Sequence, residues 1–258
     1  MKNKINLPHE LLRLEIKQLA EEVRIRFARK GLSDIFDILA DTAFLIRKPL
    51  EVEGLSGFIT YFEEKFIVYL NSSFTLGHER YTAAHELYHI MYNEDILKKE
   101  KVFLDKNKYK EEDMRADVFA AEFLMPEDYV KEVFYKTIDV DKDNLQAKHI
   151  IRMHNYFKVS YRAMLKRLVQ LDLCAPKKYS SLLEISTIEN KDKLQAITRE
   201  EGYNIDLILP SMENYIPREY IIYVKSNYEN KKISYEELEN ILKFIDLEPK
   251  ELGYSYNF

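Results

Sequence analysis

His85 and His89 stand four residues apart in a segment whose other positions, Ala83, Ala84, Leu87, Ile90 and Met91, are apolar. This arrangement constrains the chain more than any other feature. Four-residue spacing predicts a helix with both imidazoles on one face, one turn apart. The apolar remainder predicts that the helix is mostly buried, and burying two imidazoles and a carboxylate without a compensating charge is costly. Two neutral imidazoles from one helical turn can fill two corners of a tetrahedral Zn²⁺ site. Glu86 lies about 100° around the helix from His85. It is badly placed to be a ligand but well placed to take a proton from a metal-held water, the division of labour expected of a His-Glu-x-x-His metallopeptidase.

Such a site needs a third protein ligand and an open fourth position. The run Glu111-Glu112-Asp113-Met114-Arg115-Ala116-Asp117 opens a second helix, on which Asp113 and Asp117 share a face. The register makes Asp113 the candidate third ligand. Asp117 is then the carboxylate that accepts a hydrogen bond from a ligating histidine. Acidic residues also favour a helix N-terminus without any metal, and the pairing with His85 and His89 turns the reading toward a metal. His78 and Tyr92 are candidates to stabilise an oxyanion.

The wider chain limits what surrounds this site. It has 258 residues, 46% of them apolar and 32% charged, the composition of an ordinary globular protein. Only six glycines occur, against 19 tyrosines and 14 phenylalanines. Gly-rich phosphate loops are therefore not expected, and an aromatic core is. Cys174 is the single cysteine, so no internal disulfide can form. The first twelve residues contain no signal-like apolar run, and no stretch reaches the length of a membrane span. The expectation is a soluble, cytoplasmic chain with no membrane partner.

Apolar spacing predicts a helix over 8–30, with Pro8 in its first turn and Gly31 beyond its end, and a short helix over 34–41 capped by Ser33. Strands are expected at 57–62 and 66–70, joined by a hairpin loop at Glu63-Glu64-Lys65, with a third at 43–50. Helices follow at 79–93, 111–124 and from Pro126 to about 136, and the charged run 93–110 reads as an exposed connection. Residues 143–173 read as two helices broken near 158–160, with Ser160 capping the second. Ser234-Tyr235-Glu236-Glu237 forms a capping box.

Residues 142–174 carry seven Lys or Arg and two Asp, an excess of five positive charges in a chain whose net charge is −5. Phe157-Lys158-Val159-Ser160 and the helix after it resemble a helix-turn-helix. DNA contact is conceivable, but a helical hairpin packed on the rest of the protein with a solvated basic face is the favoured reading. His149 and His154, five residues apart, share no helical face and read as surface or core residues.

The segment Arg80–His89, taken with Ala116-Asp117-Val118-Phe119-Ala120-Ala121-Glu122-Phe123-Leu124-Met125-Pro126, resembles the ImmA/IrrE (DUF955) metallopeptidase family. The resemblance is clear over residues 55–127 and fainter to 174. It implies a zinc metallo-endopeptidase with a glutamate as third ligand, four residues before an Asn or Asp. Asp113 holds that place relative to Asp117, one methylene shorter, and Glu112 is the fallback. Tyr88 stands where the family often has glycine, so packing there must differ. The resemblance further implies a site-specific regulatory protease whose substrate is a protein such as a helix-turn-helix repressor. The rival is a non-catalytic regulator that binds a partner through this core and touches DNA through the basic segment.

The expected architecture is α+β. A mainly helical, zincin-like peptidase with a small antiparallel sheet occupies 1–138, a helix-turn-helix-like segment 139–176, and a mixed region of uncertain role 177–258.

Overall fold

The computed structural model describes residues 10–100 and 110–255. Pro8 and residues 101–109 of the expected exposed connection lie outside them. The chain divides into two compact units, residues 1–213 and 214–258.

In the first unit, α1 (Glu10–Ala28) buries Ile16, Ala20, Val23 and Phe27 along one stripe. Beyond its end Gly31 takes a φ of +75°, a left-handed conformation that costs glycine nothing. α2 (Ile35–Thr42) follows. Its N-cap is Asp34, whose carboxylate accepts from the Phe36 amide, and not Ser33 as expected. Asp34 also accepts from Arg80 at 2.8 Å, a tie that Ser33 could not have made.

Three strands follow, β1 (Phe44–Lys48), β2 (Gly57–Phe62) and β3 (Lys65–Asn71). β2 and β3 form an antiparallel hairpin whose turn, Glu63-Glu64, has φ of 45° and 60°. Two successive positive φ values are what a type I′ turn requires. The sheet is mixed and not purely antiparallel, with order β1-β3-β2 and β1 running parallel to β3. The cause is the 49–56 connection, which passes the end of β3 and leaves the central position to it. Buried Asn71 secures that crossing. Its side chain accepts from the Leu50 amide and donates to the Leu50 and Leu55 carbonyls, each at 2.9 Å.

Against this sheet lies α3 (Leu76–Tyr92), which also packs on α5 (Lys110–Leu124). Between them α4 (Glu94–Glu100), with Leu97 fully buried, replaces the first part of the expected exposed connection. Helices α1, α2, α3 and α5 and the sheet share one core, which includes Phe27, Leu39, Val68, Leu87 and Phe119. Each such side chain contributes about 1.5–3 kcal/mol by leaving water.

A second core joins α6 (Glu127–Thr137), α7 (Ala147–Phe157), α8 (Tyr161–Gln170), α9 (Tyr179–Glu184) and α10 (Lys191–Glu200) around Phe134, Met153, Tyr161 and Leu165. The break between α7 and α8 is made by Lys158 in the left-handed region (φ 53°) and by Ser160, whose hydroxyl accepts from the Ala163 amide. Tyr81 and Leu124 pack against both cores. Two contacts fix the α7–α8 pair to the site-bearing helices. Arg167, buried on α8, makes a bidentate pair with buried Glu122 on α5 at 2.9 and 2.6 Å, and its Nε donates to the Met125 carbonyl. Gly77, in the first turn of α3, meets the backbone of the α7–α8 turn so closely that a Cβ would lie 2.6 Å from the Ser160 nitrogen.

The second unit pairs α11 (Arg218–Glu229) with α12 (Tyr235–Lys243) around Val224, Leu238 and Leu242. Ser234 and Glu237 form the expected capping box. Among the described residues 177–255 hold no strand, only helices, 3-10 turns and an isolated bridge between Thr75 and Pro210. The expected mixed region is therefore helical. No described helix is long and apolar enough to cross a membrane.

Candidate metal centre

The buried helix α3 carries His85, Glu86 and His89 because its other faces are occupied. Ala83, Ala84 and Leu87 face the core. Tyr88 packs on Tyr92 and Phe119, which uses the space a glycine would leave open. α5 crosses α3 and presents Asp113 and Asp117 to the two histidines.

Donor atoms of His85, His89 and Asp113 all lie within 4.8 Å of one another. The two Nε2 atoms are 3.2 Å apart. Asp113 Oδ1 is 3.6 Å from His89 Nε2 and 4.0 Å from His85 Nε2. The far side of each ring is held by an acceptor. His85 Nδ1 is 3.1 Å from Asp117 Oδ1, and His89 Nδ1 is 2.9 Å from Asn93 Oδ1. The Asn93 amide is fixed in turn, because its Nδ2 donates to Glu112 at 2.7 Å. Glu112, the fallback ligand, is thus engaged in orienting Asn93.

These partners set the tautomers. A carboxylate and an amide oxygen can only accept, so both Nδ1 atoms carry the proton and both Nε2 atoms carry the lone pair. Two lone pairs and a carboxylate therefore converge on one point. That is stable only with a positive charge there, either a proton or a metal cation. Tetrahedral Zn²⁺ with bonds near 2.0–2.1 Å would separate its ligand atoms by about 3.3 Å. The 3.2 Å between the imidazoles fits that value, and the longer Asp113 distances need only a small rotation of an accessible carboxylate.

The electrostatics agree with the geometry. Burial opposes a charge on His85, but its hydrogen bond to Asp117 and the carboxylates of Glu86, Asp117 and Asp113 outweigh burial and raise its pKa. Burial, reinforced by His85, pushes His89 down to about 4. Burial disfavours the Asp117 carboxylate, yet its hydrogen bond to His85 and the nearby positive charges of His85 and Lys166 hold it below the ordinary value. Glu86 is buried beside the cluster, and burial raises it to about 7, with His85 pulling it down and Asp113 pushing it further up.

Of the two candidate oxyanion stabilisers, neither reaches the cluster. Tyr92 donates to the Leu19 carbonyl and packs in the core. His78 lines the adjoining cleft and contacts Ser56 at 2.9 Å. It lies seven residues, or about 10 Å of helix, from His85. Asn93 and Tyr81 are the site residues that sequence reasoning missed. Tyr81 donates to the Asp117 carbonyl at 2.7 Å and so fixes the α5 backbone that presents Asp117. The signal for Asn93 was its position four residues after His89, one turn along the same face.

A cleft of about 620 Å³ opens from Asp113 and Asp117. α5 forms one wall, through Val118 and Ala121, and α8 forms the other, through Arg162, Ala163 and Lys166.

Residues 43–169 match the family model of Peptidase_M78, described as the IrrE N-terminal-like domain. The matched segment contains both helices of the cluster as well as α8, and it belongs to the ImmA/IrrE family that its residues resemble. The domain is accordingly of metallopeptidase type. No curated protein matches the chain.

Proposed function

We propose that the protein is a zinc-dependent metallo-endopeptidase that cuts a protein substrate, with His85, His89 and Asp113 as the metal ligands and Glu86 as the general base. The observation that carries this reading is the convergence of two Nε2 lone pairs, 3.2 Å apart, and one carboxylate beside a buried glutamate. Zn²⁺ bound there would supply a Lewis acid and lower the pKa of a coordinated water.

The remaining work falls to the chain's own side chains. Asp117 and Asn93 hold the two imidazoles in the ligating tautomer, and Glu112 holds Asn93. Glu86, with a pKa near neutrality, accepts the proton of the attacking water and returns it to the leaving amine. The cleft between α5 and α8 receives the substrate chain. In line with the family resemblance, the substrate is a regulatory protein such as a helix-turn-helix repressor, cut in the cytoplasm.

The rival reading, a DNA-touching regulator without catalysis, draws on the basic α7–α8 segment. Much of that charge is engaged internally. Arg167 pairs with Glu122, Arg152 with Glu201 and Lys142 with Asp172. DNA binding is therefore expected to be weak or absent.

Zinc analysis and proteolysis of Glu86→Gln test the proposal together. The variant should keep one Zn²⁺ per chain and lose about 10²–10⁴-fold in peptide hydrolysis. Equal action of wild type and Glu86→Gln on a repressor would replace proteolysis with the non-catalytic reading.

A further inference from the structure

The cleft beside the metal cluster is lined unequally in charge. Its two carboxylates are both committed, Asp113 to the histidine pair and Asp117 to His85 Nδ1. Arg167, at the base, is neutralised by Glu122. Three further cations line the cleft, Lys110 at the start of α5 and Arg162 and Lys166 on α8. Among the described residues none of the three forms an ion pair. The Arg162 guanidinium donates instead to the hydroxyl and carbonyl of Ser186, at 3.0 and 3.1 Å, which fix its position without cancelling its charge. Arg162 and Lys166 are four residues apart on one helix, so both face the same way. The rest of the lining is mostly apolar and includes Val118, Ala121, Met125, Ala163 and Leu183. Ala121 and Ala163 are small, and they leave the width in which a substrate side chain can lie.

Charged groups that line a low-dielectric groove select the opposite charge more than they add affinity. Apolar surface in the same groove needs an apolar side chain to cover it. We infer that Arg162 and Lys166 are specificity determinants, and that the substrate segment carries an aspartate or glutamate next to an apolar residue, close to the bond that is cut. The inference rests on the peptidase reading and narrows its substrate to acidic, amphipathic segments. The α7–α8 pair thereby has a use that needs no DNA: it supplies the basic wall of the cleft.

The test uses the zinc-loaded full chain with the Glu86→Gln change, which binds without cutting. Fluorescent dodecapeptide pools, random in context but with a single central Glu, Gln or Lys beside Leu, are titrated by anisotropy. Each exposed ion pair contributes about 0.2–1 kcal/mol. Two of them predict roughly fivefold tighter binding of the Glu pool than of the Gln pool, and weaker binding still of the Lys pool. In Arg162→Glu/Lys166→Glu, added to the same background, the order should invert. Both positions are accessible, and an unchanged thermal melt verifies the fold. Equal binding of all three pools, no binding of any pool, or an order that survives the double reversal would overturn the inference. So would displacement of the Glu pool by a random single-stranded 20-mer DNA at equal strength. Charge-selective binding with no cleavage by the wild-type protein would sink the peptidase reading and keep the subsite. Cleavage with no charge preference would do the reverse.

Discussion

Arg167→Met should destabilise the protein by about 3–5 kcal/mol, the cost of leaving one member of a buried ion pair without its partner. Both side chains of the Arg167–Glu122 pair are only 1% exposed, so water cannot replace the missing donor. Three hydrogen bonds disappear at once, two to the carboxylate and one to the Met125 carbonyl. Glu122 keeps a contact from Arg13 Nε at 3.2 Å, on the oxygen that also accepts from Arg167 Nη1. That contact places the loss toward the lower end, about 3 kcal/mol. Against a total stability of about 5–15 kcal/mol this is a large fraction. The double variant Glu122→Leu/Arg167→Met removes both charges and should recover most of the loss, since an apolar replacement of a buried pair is often neutral. Urea unfolding followed by circular dichroism measures Arg167→Met, the Glu122→Leu single, the double variant and the wild type. The metal is chelated throughout, because ligand binding would add its own stabilisation. A loss below 1 kcal/mol for Arg167→Met alone, or a double variant as unstable as the sum of the singles, would refute the reasoning.

Further predictions concern the backbone, the metal and pH. Gly77→Ala should cost about 1–3 kcal/mol in the same unfolding assay, because its Cβ would press on three backbone atoms of Val159 and Ser160 at 2.6–2.8 Å. Replacing Glu63-Glu64 by Asn-Gly should raise stability by about 1 kcal/mol, since those residues tolerate the positive φ of the hairpin turn at less cost. Zinc titration by a competing chelator should show His85→Ala and Asp113→Ala losing the metal. Asp117→Ala should weaken it about 10–100-fold by freeing the His85 ring, and Glu112→Ala should weaken it less than Asp113→Ala does. His154 is fully buried, and burial lowers its pKa to about 4, only partly offset by its contact with the Val159 carbonyl. The unfolded chain binds that proton near pH 6.5 and the folded chain does not until about 4. Stability should therefore fall by up to about 3 kcal/mol as pH drops from 6.5 to 4 and level off below. In His154→Gln that part of the pH dependence should vanish from the urea midpoints.

Much of the fold near the site is legible because periodic apolar patterns there coincide with strong end signals. α3 and α5 follow from their spacing. The α7–α8 break follows from Ser160, the start of α12 from Ser234, and β2 from its aromatic and β-branched residues. The direction of β1 was not legible, since strand pairing depends on the path of the 49–56 connection and on the single side chain of Asn71. Asp34 displaced Ser33 as a cap because a tertiary partner, Arg80, fixes its second oxygen. α4 was hidden by its charges, with Leu97 the one buried residue that holds it. At the site, the four-residue spacings put His85 with His89, and Asp113 with Asp117, on one helix face each by helix geometry alone. The chain from Glu112 through Asn93 to His89 was not legible, because it spans two helices whose crossing no local pattern specifies. The same is true of Glu122. Its motif marks the family, but its role shows only when Arg13 and Arg167 arrive from distant segments.

Glu122 has a practical consequence for dissecting the protein. The family match begins at residue 43, yet Arg13 reaches Glu122, and Arg24 caps the end of α5 by donating to the Glu122 carbonyl at 2.6 Å. Both arginines sit on α1, whose buried face completes the core under α3 and α5. A fragment cut at the family boundary would expose Phe119 and Phe123 to water and leave Glu122 with one guanidinium instead of two. It would be a poor stand-in for the site-bearing unit, whose core includes α1.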